Sequence, residues 1–312
     1  MCAVAKTLPS HHRIDLGQLA MAVHLHGDFS PKQTLTQVEE NFLRLEAKPD
    51  QTADVTMTFL DSGSIQDPAG AAVLQSLPGS RLYADRDGFL MQRFIPEQQS
   101  LPFLSIRINH DFTDFVFHFD PTRYTSLFAE QGFRIDWFQY ACSQNLLIPT
   151  LLGHNGLLIH GSGGVIQDKG MIFAAPSGTG KSTLARLLLA SPGNRLFSEE
   201  RLLVQQQENE QPLQLWGTPW HGSGDLARNE KTDFAALVFL SQAPETTIKP
   251  LTTSAGLERL LQVASIPWYS RYWAQKGLDL SENLLKEVPV YELAFAPDQC
   301  AVQVVEELAA SL

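Results

Sequence analysis

Three cysteines are all that this chain of 312 residues contains, at positions 2, 142 and 300. Their odd number and wide separation exclude a disulfide framework and a cysteine metal cluster, and they suit a reducing cytoplasm. Positive charge is also scarce. Lys and Arg total 23 against 34 Asp and Glu, a net charge of −11. A surface of that sign repels a phosphate backbone, which argues against nonspecific nucleic-acid binding. No window holds the unbroken apolar run that a membrane-crossing helix needs. The first residues, Met1 to His12, lack the apolar core of a secretory signal. A cytoplasmic protein without nucleic-acid or membrane partners is therefore expected. The apolar fraction of 44% is ample for a packed core, and the length allows one large domain or two ordinary ones.

The run Ala175-Pro176-Ser177-Gly178-Thr179-Gly180-Lys181-Ser182-Thr183 carries the chemistry. It reads as a phosphate-binding P-loop, the Walker A pattern. Gly178 and Gly180 let the backbone curl so that the N–H groups of Ser177 to Thr183 converge on one anion. Lys181 reaches outer phosphates, and Ser182 offers a hydroxyl to Mg²⁺. The short apolar strand Gly170–Ala174 precedes the loop, and the good helix formers of Ser182–Ala190 follow it. In that order the helix N-terminus adds its partial positive charge to the phosphate site. Ala175 stands where the pattern usually has its first glycine. A Gly-Ser loop that merely caps a buried helix is the bland alternative. The loop reads phosphates and not the base, so ATP is the default nucleotide and GTP the alternative. No apolar run after the loop ends in a lone Asp, as the metal-binding strand of an NTP hydrolase would.

The halves differ in texture. Asp54–Leu60, Gly88–Ile95, Phe103–Ile108 and Asp114–Phe119 alternate, with Asn109-His110-Asp111 as a turn, so residues 1–149 read as a smaller, largely antiparallel β-rich domain. His110 and His118 there read as exposed histidines before site residues. His24 and His26 alternate on a strand, and Gln37 to Lys48 reads as a surface helix. Arg134 to Leu152 reads as a helix bridging the domains, kinked or ended by Pro149, with Cys142 as a small core residue. Residues 150–312 alternate strands and helices. Leu157–Ser162 is a strand, Val165-Ile166 leads into the turn Gln167–Gly170, and Arg195–Ser198, Leu202–Val204, Ala235–Leu240 and Pro289–Phe295 follow as strands. Asp298 caps a closing helix. The fold class is thus α/β with mixed sheets. The tetrad His-Gly-Ser-Gly occurs at His160–Gly163 and His221–Gly224, a coincidence unless both face the loop.

Taken together, His160 before the loop, the loop itself, and Asn194-Arg195-Leu196-Phe197-Ser198-Glu199-Glu200 after its helix resemble the HPr kinase/phosphorylase-related family. Its catalytic domain is similar to the nucleotide-binding part of phosphoenolpyruvate carboxykinase. Gly217–Gly222 and Val288–Leu293 resemble divergent HPr-kinase-like proteins found with peptide-modification systems. The likeness covers residues 150–312, and residues 1–149 resemble nothing nameable.

The resemblance implies Mg²⁺-dependent phosphoryl transfer from a nucleoside triphosphate to a serine-type hydroxyl on a peptide, protein or small molecule. It sets Glu199 and Glu200 at the family's carboxylate pair, usually Asp-Asp, one as base and the other holding metal or acceptor, with Glu200 as the metal ligand. A solvated acidic pair is the alternative. His160 matches a family histidine that bonds the carboxylates or phosphate; a histidine closing a strand is the alternative. Arg228 is a candidate for developing phosphate charge, and His221 and Asp225 are candidates on the same loop. Phosphorolysis is not implied. A nucleotide-binding pseudokinase or assembly module, or an NTP hydrolase, remains the competing class. Homo-oligomerisation is left open.

Overall fold

In the computed structural model the described residues are 11–26, 37–46, 52–61, 72–77, 79–85, 87–94, 102–120, 137–206, 212–222 and 226–312. The chain divides into two compact units, Met1–Thr150 and Leu151–Leu312.

In the first unit, nine described strands form one sheet: β1 His11–Leu16, β2 Leu19–His26, β3 Leu43–Glu46, β4 Val55–Asp61, β5 Ala72–Leu77, β6 Ser80–Asp85, β7 Gly88–Arg93, β8 Leu104–Ile108 and β9 Asp114–Phe119. Their order is β3-β1-β2-β4-β9-β8-β7-β6-β5. Antiparallel pairs dominate, but β4 runs parallel to both β2 and β9, so the sheet is mixed. Alternation buries one face: Val55, Met57 and Phe59 on β4 meet Phe115, Phe117 and Phe119 on β9, with the Phe59 and Phe117 rings stacked at 4.2 Å. The Asn109 turn holds because its Oδ1 accepts from the Thr113 and Asp114 N–H groups at 2.9 and 3.0 Å. His110 is exposed on that turn, His118 is half-buried on β9, and His24 lies with its Nδ1 3.0 Å from His11 Nδ1.

Two helical expectations change. Gln37–Phe42 (α1) gives way at once to β3, and residues 47 and 48 lie outside the described residues. The stretch from 134 to 152 is two helices, α2 Trp137–Ala141 and α3 Gln144–Gly153, with residues 134–136 outside the described part. The break falls at Cys142 and Ser143, and Pro149 lies inside α3 without ending it. Cys142 is buried at that break.

The second unit has the strands β10 Gly156–Ile166, β11 Lys169–Ala174, β12 Arg195–Ser198, β13 Arg201–Gln205, β14 Gln214–Gly217, β15 Lys231–Gln242, β16 Thr247–Pro250 and β17 Val290–Phe295. Its helices are α4 Lys181–Leu189, α5 Thr253–Val263, α6 Arg271–Glu287 and α7 Gln299–Ser311. The sheet order is β11-β10-β13-β14-β15-β17-β16, with β12 also on β10 and β11 also on β15. The pairings therefore close a circuit. Long β10 and β15 make this happen, because each changes partner along its length. The separate strands read at 157–162 and 165–166 are one strand, β10, since its small central residues Gly161, Gly163 and Gly164 let β11 and β12 close on both sides. The β10–β11 hairpin turns on Gln167 and Asp168, both with positive φ, at 46° and 67°. Asp298 caps α7 through the Cys300 N–H at 3.0 Å. α5 and α6, which sequence reading missed, are capped by Thr252 and Ser270. Beneath the P-loop, Phe173, Ala175, Leu184, Leu188, Val238 and Phe295 form one core. No helix among the described residues is long and apolar enough to cross a membrane.

Candidate functional site

The P-loop joins β11 to α4. β11 has β10 antiparallel on one side and β15 parallel on the other. Gly178 and Gly180 adopt φ of 83° and 102°, the left-handed region where glycine is unstrained. Gly180 is the N-cap of α4, and its carbonyl accepts from Thr183 N and Leu184 N. Ala175 needs no such freedom. It is not among the positive-φ residues, and its methyl group is buried in the core. The alanine therefore fits where the pattern has glycine.

Ser177, Gly178 and Ser182 are exposed, so the concave side of the loop is open. Thr179 Oγ1 donates to the Pro176 carbonyl at 2.9 Å. Lys181 is only 8% exposed, and its Nζ donates to the carbonyls of Ala175 at 2.8 Å and Pro176 at 3.0 Å. Burial lowers the Lys181 pKa from its ordinary value; Glu200 opposes that shift and Arg201 adds to it. Gln242, at the end of β15, donates from Nε2 to the Gly178 carbonyl at 3.3 Å.

The carboxylate pair sits beside this loop. It joins β12 to β13, and both strands run antiparallel to β10, with Ser198 opposite Gly163, Arg201 opposite His160 and a register shift between Gly163 and Gly164. The Gly161 N–H donates to the Glu200 carbonyl at 3.2 Å. Ser198 shapes the corner: its Oγ accepts from Glu200 N at 3.1 Å and Arg201 N at 3.2 Å and donates to the Trp220 carbonyl at 3.0 Å. Thr218 Oγ1 donates to the Arg201 carbonyl at 2.6 Å. Gly222 lies over the pair, where a Cβ would stand 3.7 Å from Glu199 Cβ and 3.8 Å from Glu200 Cβ. Gly222 thus packs against both acids, while the Glu200 side chain stays 36% exposed.

The two acids differ. Glu200 meets His160, with His160 Nδ1 2.9 Å from the Glu200 carbonyl and 3.3 Å from its Oε1. Both oxygens only accept, so Nδ1 carries the proton. Burial, then the Lys181 and Arg201 charges, lowers the His160 pKa below its ordinary value against the pull of Glu200. The favoured ring is neutral, with Nε2 as an unprotonated acceptor. Glu199 is buried, and that burial raises its pKa while Arg186 of α4 holds it down. A buried carboxyl held toward its protonated form, next to an acid that meets a histidine, can divide acid–base and cation-holding work.

His160 lies at the centre of β10 and does not close a strand. Arg228 is not brought to the loop by any contact: its side chain is 46% exposed and pairs with Glu230 at 3.5 Å. His221 is exposed, with Nδ1 3.2 Å from the Gly222 carbonyl. Asp225 and the rest of the second tetrad after Gly222 lie outside the described residues. Sequence reading missed Arg201, Ser198, Thr218 and Gln242. Only the β10 register could have found Arg201, because it pairs the residue with His160. Among the described residues no cluster of three or more His, Cys, Asp or Glu has metal-binding geometry. A cavity of about 270 Å³ opens elsewhere in this unit, floored by Leu157, Val204 and Leu284; no P-loop residue lines it.

Open donors on a left-handed glycine loop, a buried lysine and a facing carboxylate match the chemistry of a polyphosphate with a divalent cation. Compared with known proteins, the chain is similar to a solved structure, the Hpr(Ser) kinase/phosphatase from Coxiella burnetii, at 12% identity over 49% of this chain and 88% of that one, with a TM-score of 0.29. No curated protein matches it. The family model of the SynChlorMet cassette protein ScmC matches residues 134–307. That match covers more than half of the sequence, and the chain belongs to the ScmC family.

Proposed function

We propose that this protein is a nucleoside-triphosphate-dependent kinase that phosphorylates a hydroxyl group on a peptide, protein or small molecule. The observation that carries this reading is the meeting of two elements far apart in sequence. The P-loop lysine and the His160–Glu200 pair share one charged neighbourhood: His160 Nδ1 lies 3.3 Å from Glu200 Oε1, and the Lys181 and Glu200 charges both act on His160. A loop that only capped a helix would have no use for a charged neighbourhood of that kind.

The residues take these roles. The loop amides from Ser177 to Thr183 bind and orient the phosphates, and Lys181 neutralises their outer charge. Ser182 and Glu200 would hold Mg²⁺, which supplies further charge neutralisation when bound. The acceptor oxygen forms a bond to the γ-phosphorus as the bridging β–γ oxygen leaves with the nucleoside diphosphate. The acceptor proton passes to the carboxylate pair, with Glu199 as the group whose buried carboxyl readily holds it. His160, fixed through Nδ1, orients Glu200.

The test incubates the purified chain with γ-labelled ATP or GTP, Mg²⁺ and a cell extract or peptide pool, beside Lys181→Ala and Glu200→Gln. A labelled acceptor that disappears with both variants supports a kinase. Nucleotide binding without transfer supports a non-catalytic module instead. Phosphate release without any acceptor supports a hydrolase.

A further inference from the structure

We propose that His11 and His24, in the first unit, form a binding site for a divalent transition-metal ion of the kind that imidazole holds, such as Ni²⁺ or Cu²⁺. None of the residues assigned to the nucleotide belongs to it.

Sequence order sets His24 beside His26, two residues on along the same strand. The fold gives it another neighbour. β1 and β2 pair antiparallel with His11 opposite His24, and residues paired in this way project to the same face. The two Nδ1 atoms stand 3.0 Å apart, with the ring planes at 71°. On its other side β1 pairs with β3, which sets Glu46 at the register position opposite His11. One row across three strands therefore reads Glu, His, His.

The spacing of the two nitrogens suits a metal ion. In the free chain one Nδ1 keeps its proton and donates it to the other, because two bare lone pairs repel. A cation can take the place of that proton. With metal–nitrogen bonds of about 2.1 Å, two donors 3.0 Å apart subtend about 90° at the ion. Neighbouring ligands of a square-planar or tetragonal centre meet at that angle, and this is the geometry of Cu²⁺ and Ni²⁺. A tetrahedral ion needs its donors about 3.4 Å apart. Both rings are half-buried, so little side-chain freedom is left to lose on binding. Burial lowers the His24 pKa, and His11 and His26 add to that shift, which favours the neutral ring that ligates metals. No third described His, Cys, Asp or Glu side chain joins the pair, so the remaining positions on the ion fall to water or to donor atoms of another molecule.

The experiment titrates Ni²⁺ into the full chain by calorimetry, without an affinity tag and without nucleotide, and compares the parent with His11→Asn, His24→Asn and His26→Asn. The parent is expected to bind. His11→Asn and His24→Asn should each weaken binding roughly ten-fold or more, since loss of even an outer partner of a ligand costs that much. His26→Asn should leave it unchanged. Excess Mg²⁺, which prefers oxygen donors, should not displace the ion. A second readout needs no variant and holds if either one fails to fold: in NMR spectra of the parent, Ni²⁺ should broaden the ring signals of His11 and His24 before those of His110 and His160. A parent that does not bind Ni²⁺, unchanged affinity in both His11→Asn and His24→Asn, displacement by Mg²⁺, or broadening that begins at His110 or His160 overturns the assignment.

Discussion

His160 touches Glu200 at two points: its Nδ1 is 2.9 Å from the Glu200 carbonyl oxygen and 3.3 Å from the carboxylate Oε1. One ring nitrogen thereby fixes both the backbone and the side chain of the acid. The β10 register makes this contact, because Gly161 pairs with Glu200 and brings the preceding histidine alongside.

That contact has a pH signature. The folded His160 pKa lies below 6.5, chiefly through burial. A lowered histidine pKa stabilises the fold at pH above the unfolded value and loses that contribution as pH falls through the folded one. NMR titration of the His160 ring should give a midpoint under 6.5, and Glu200→Gln should lower it further, because Glu200 is the partner that raises it. A midpoint above 6.5 in the parent would contradict the arrangement.

Glu199 has the opposite sense. Burial raises its folded pKa above 4.5. Its contribution is therefore full below the unfolded carboxylate value and lost as pH rises through the raised one. Denaturation midpoints of Glu199→Gln and the parent should converge near pH 4 and separate at pH 7, with the variant the more stable. If the parent is the more stable at pH 7, Glu199 is held as a charged partner of Arg186 instead.

The two loop glycines should respond unequally to alanine. Gly178 has φ 83° and open space where a Cβ would go. Gly180 has φ 102° and a Cβ would stand 3.0 Å from Phe295 Cζ. Gly178→Ala should cost about 1 kcal/mol, the backbone penalty alone. Gly180→Ala should cost about 2–3 kcal/mol, since strain and a core contact add. Chemical denaturation of both variants checks the order.

Lys181→Ala should lower nucleotide affinity by roughly ten- to a hundred-fold, the loss of one charge-assisted contact. It should also cost about 1–3 kcal/mol of stability, because the bond from Nζ to the Ala175 carbonyl is buried and that carbonyl loses its partner. Calorimetric titration with ATP and a thermal melt of the same sample separate the two effects.

Ser198→Ala removes one hydroxyl that serves three backbone groups, those of Glu200, Arg201 and Trp220. With Ser198 fully buried, the loss should cost about 1–3 kcal/mol. Transfer activity should fall by more than nucleotide affinity, since the acids lose their mounting and the P-loop does not. Equal losses in both would place Ser198 outside the acid corner's control.

The local elements were legible wherever one residue type forces one conformation. Gly178 and Gly180 announced the loop, Asp298 a helix start, and the alternation in Asp54–Leu60 and Asp114–Phe119 two half-buried strands. Reading failed where conformation depends on distant partners. The stretch from 157 to 166 looked like two strands because its glycines resemble a turn, yet they are where neighbouring backbones approach. The break at Cys142 and Ser143, and Pro149 inside a helix, also went against local expectation. The amphipathic helices α5 and α6 went unread, although Thr252 and Ser270 mark their starts.

The sequence by itself determined that a glycine loop with a positioned lysine joins a strand to a helix and that an acidic pair follows that helix, because a left-handed backbone requires particular residues in a fixed short order. Only the tertiary structure decided what surrounds them. It set Arg201 opposite His160, closed Ser198, Thr218 and Gly222 around the acids, brought Gln242 to the loop and kept Arg228 on Glu230. The reason is that cross-strand register is fixed by burial and hydrogen bonding along whole strands, and no window of the sequence holds both members of such a pair.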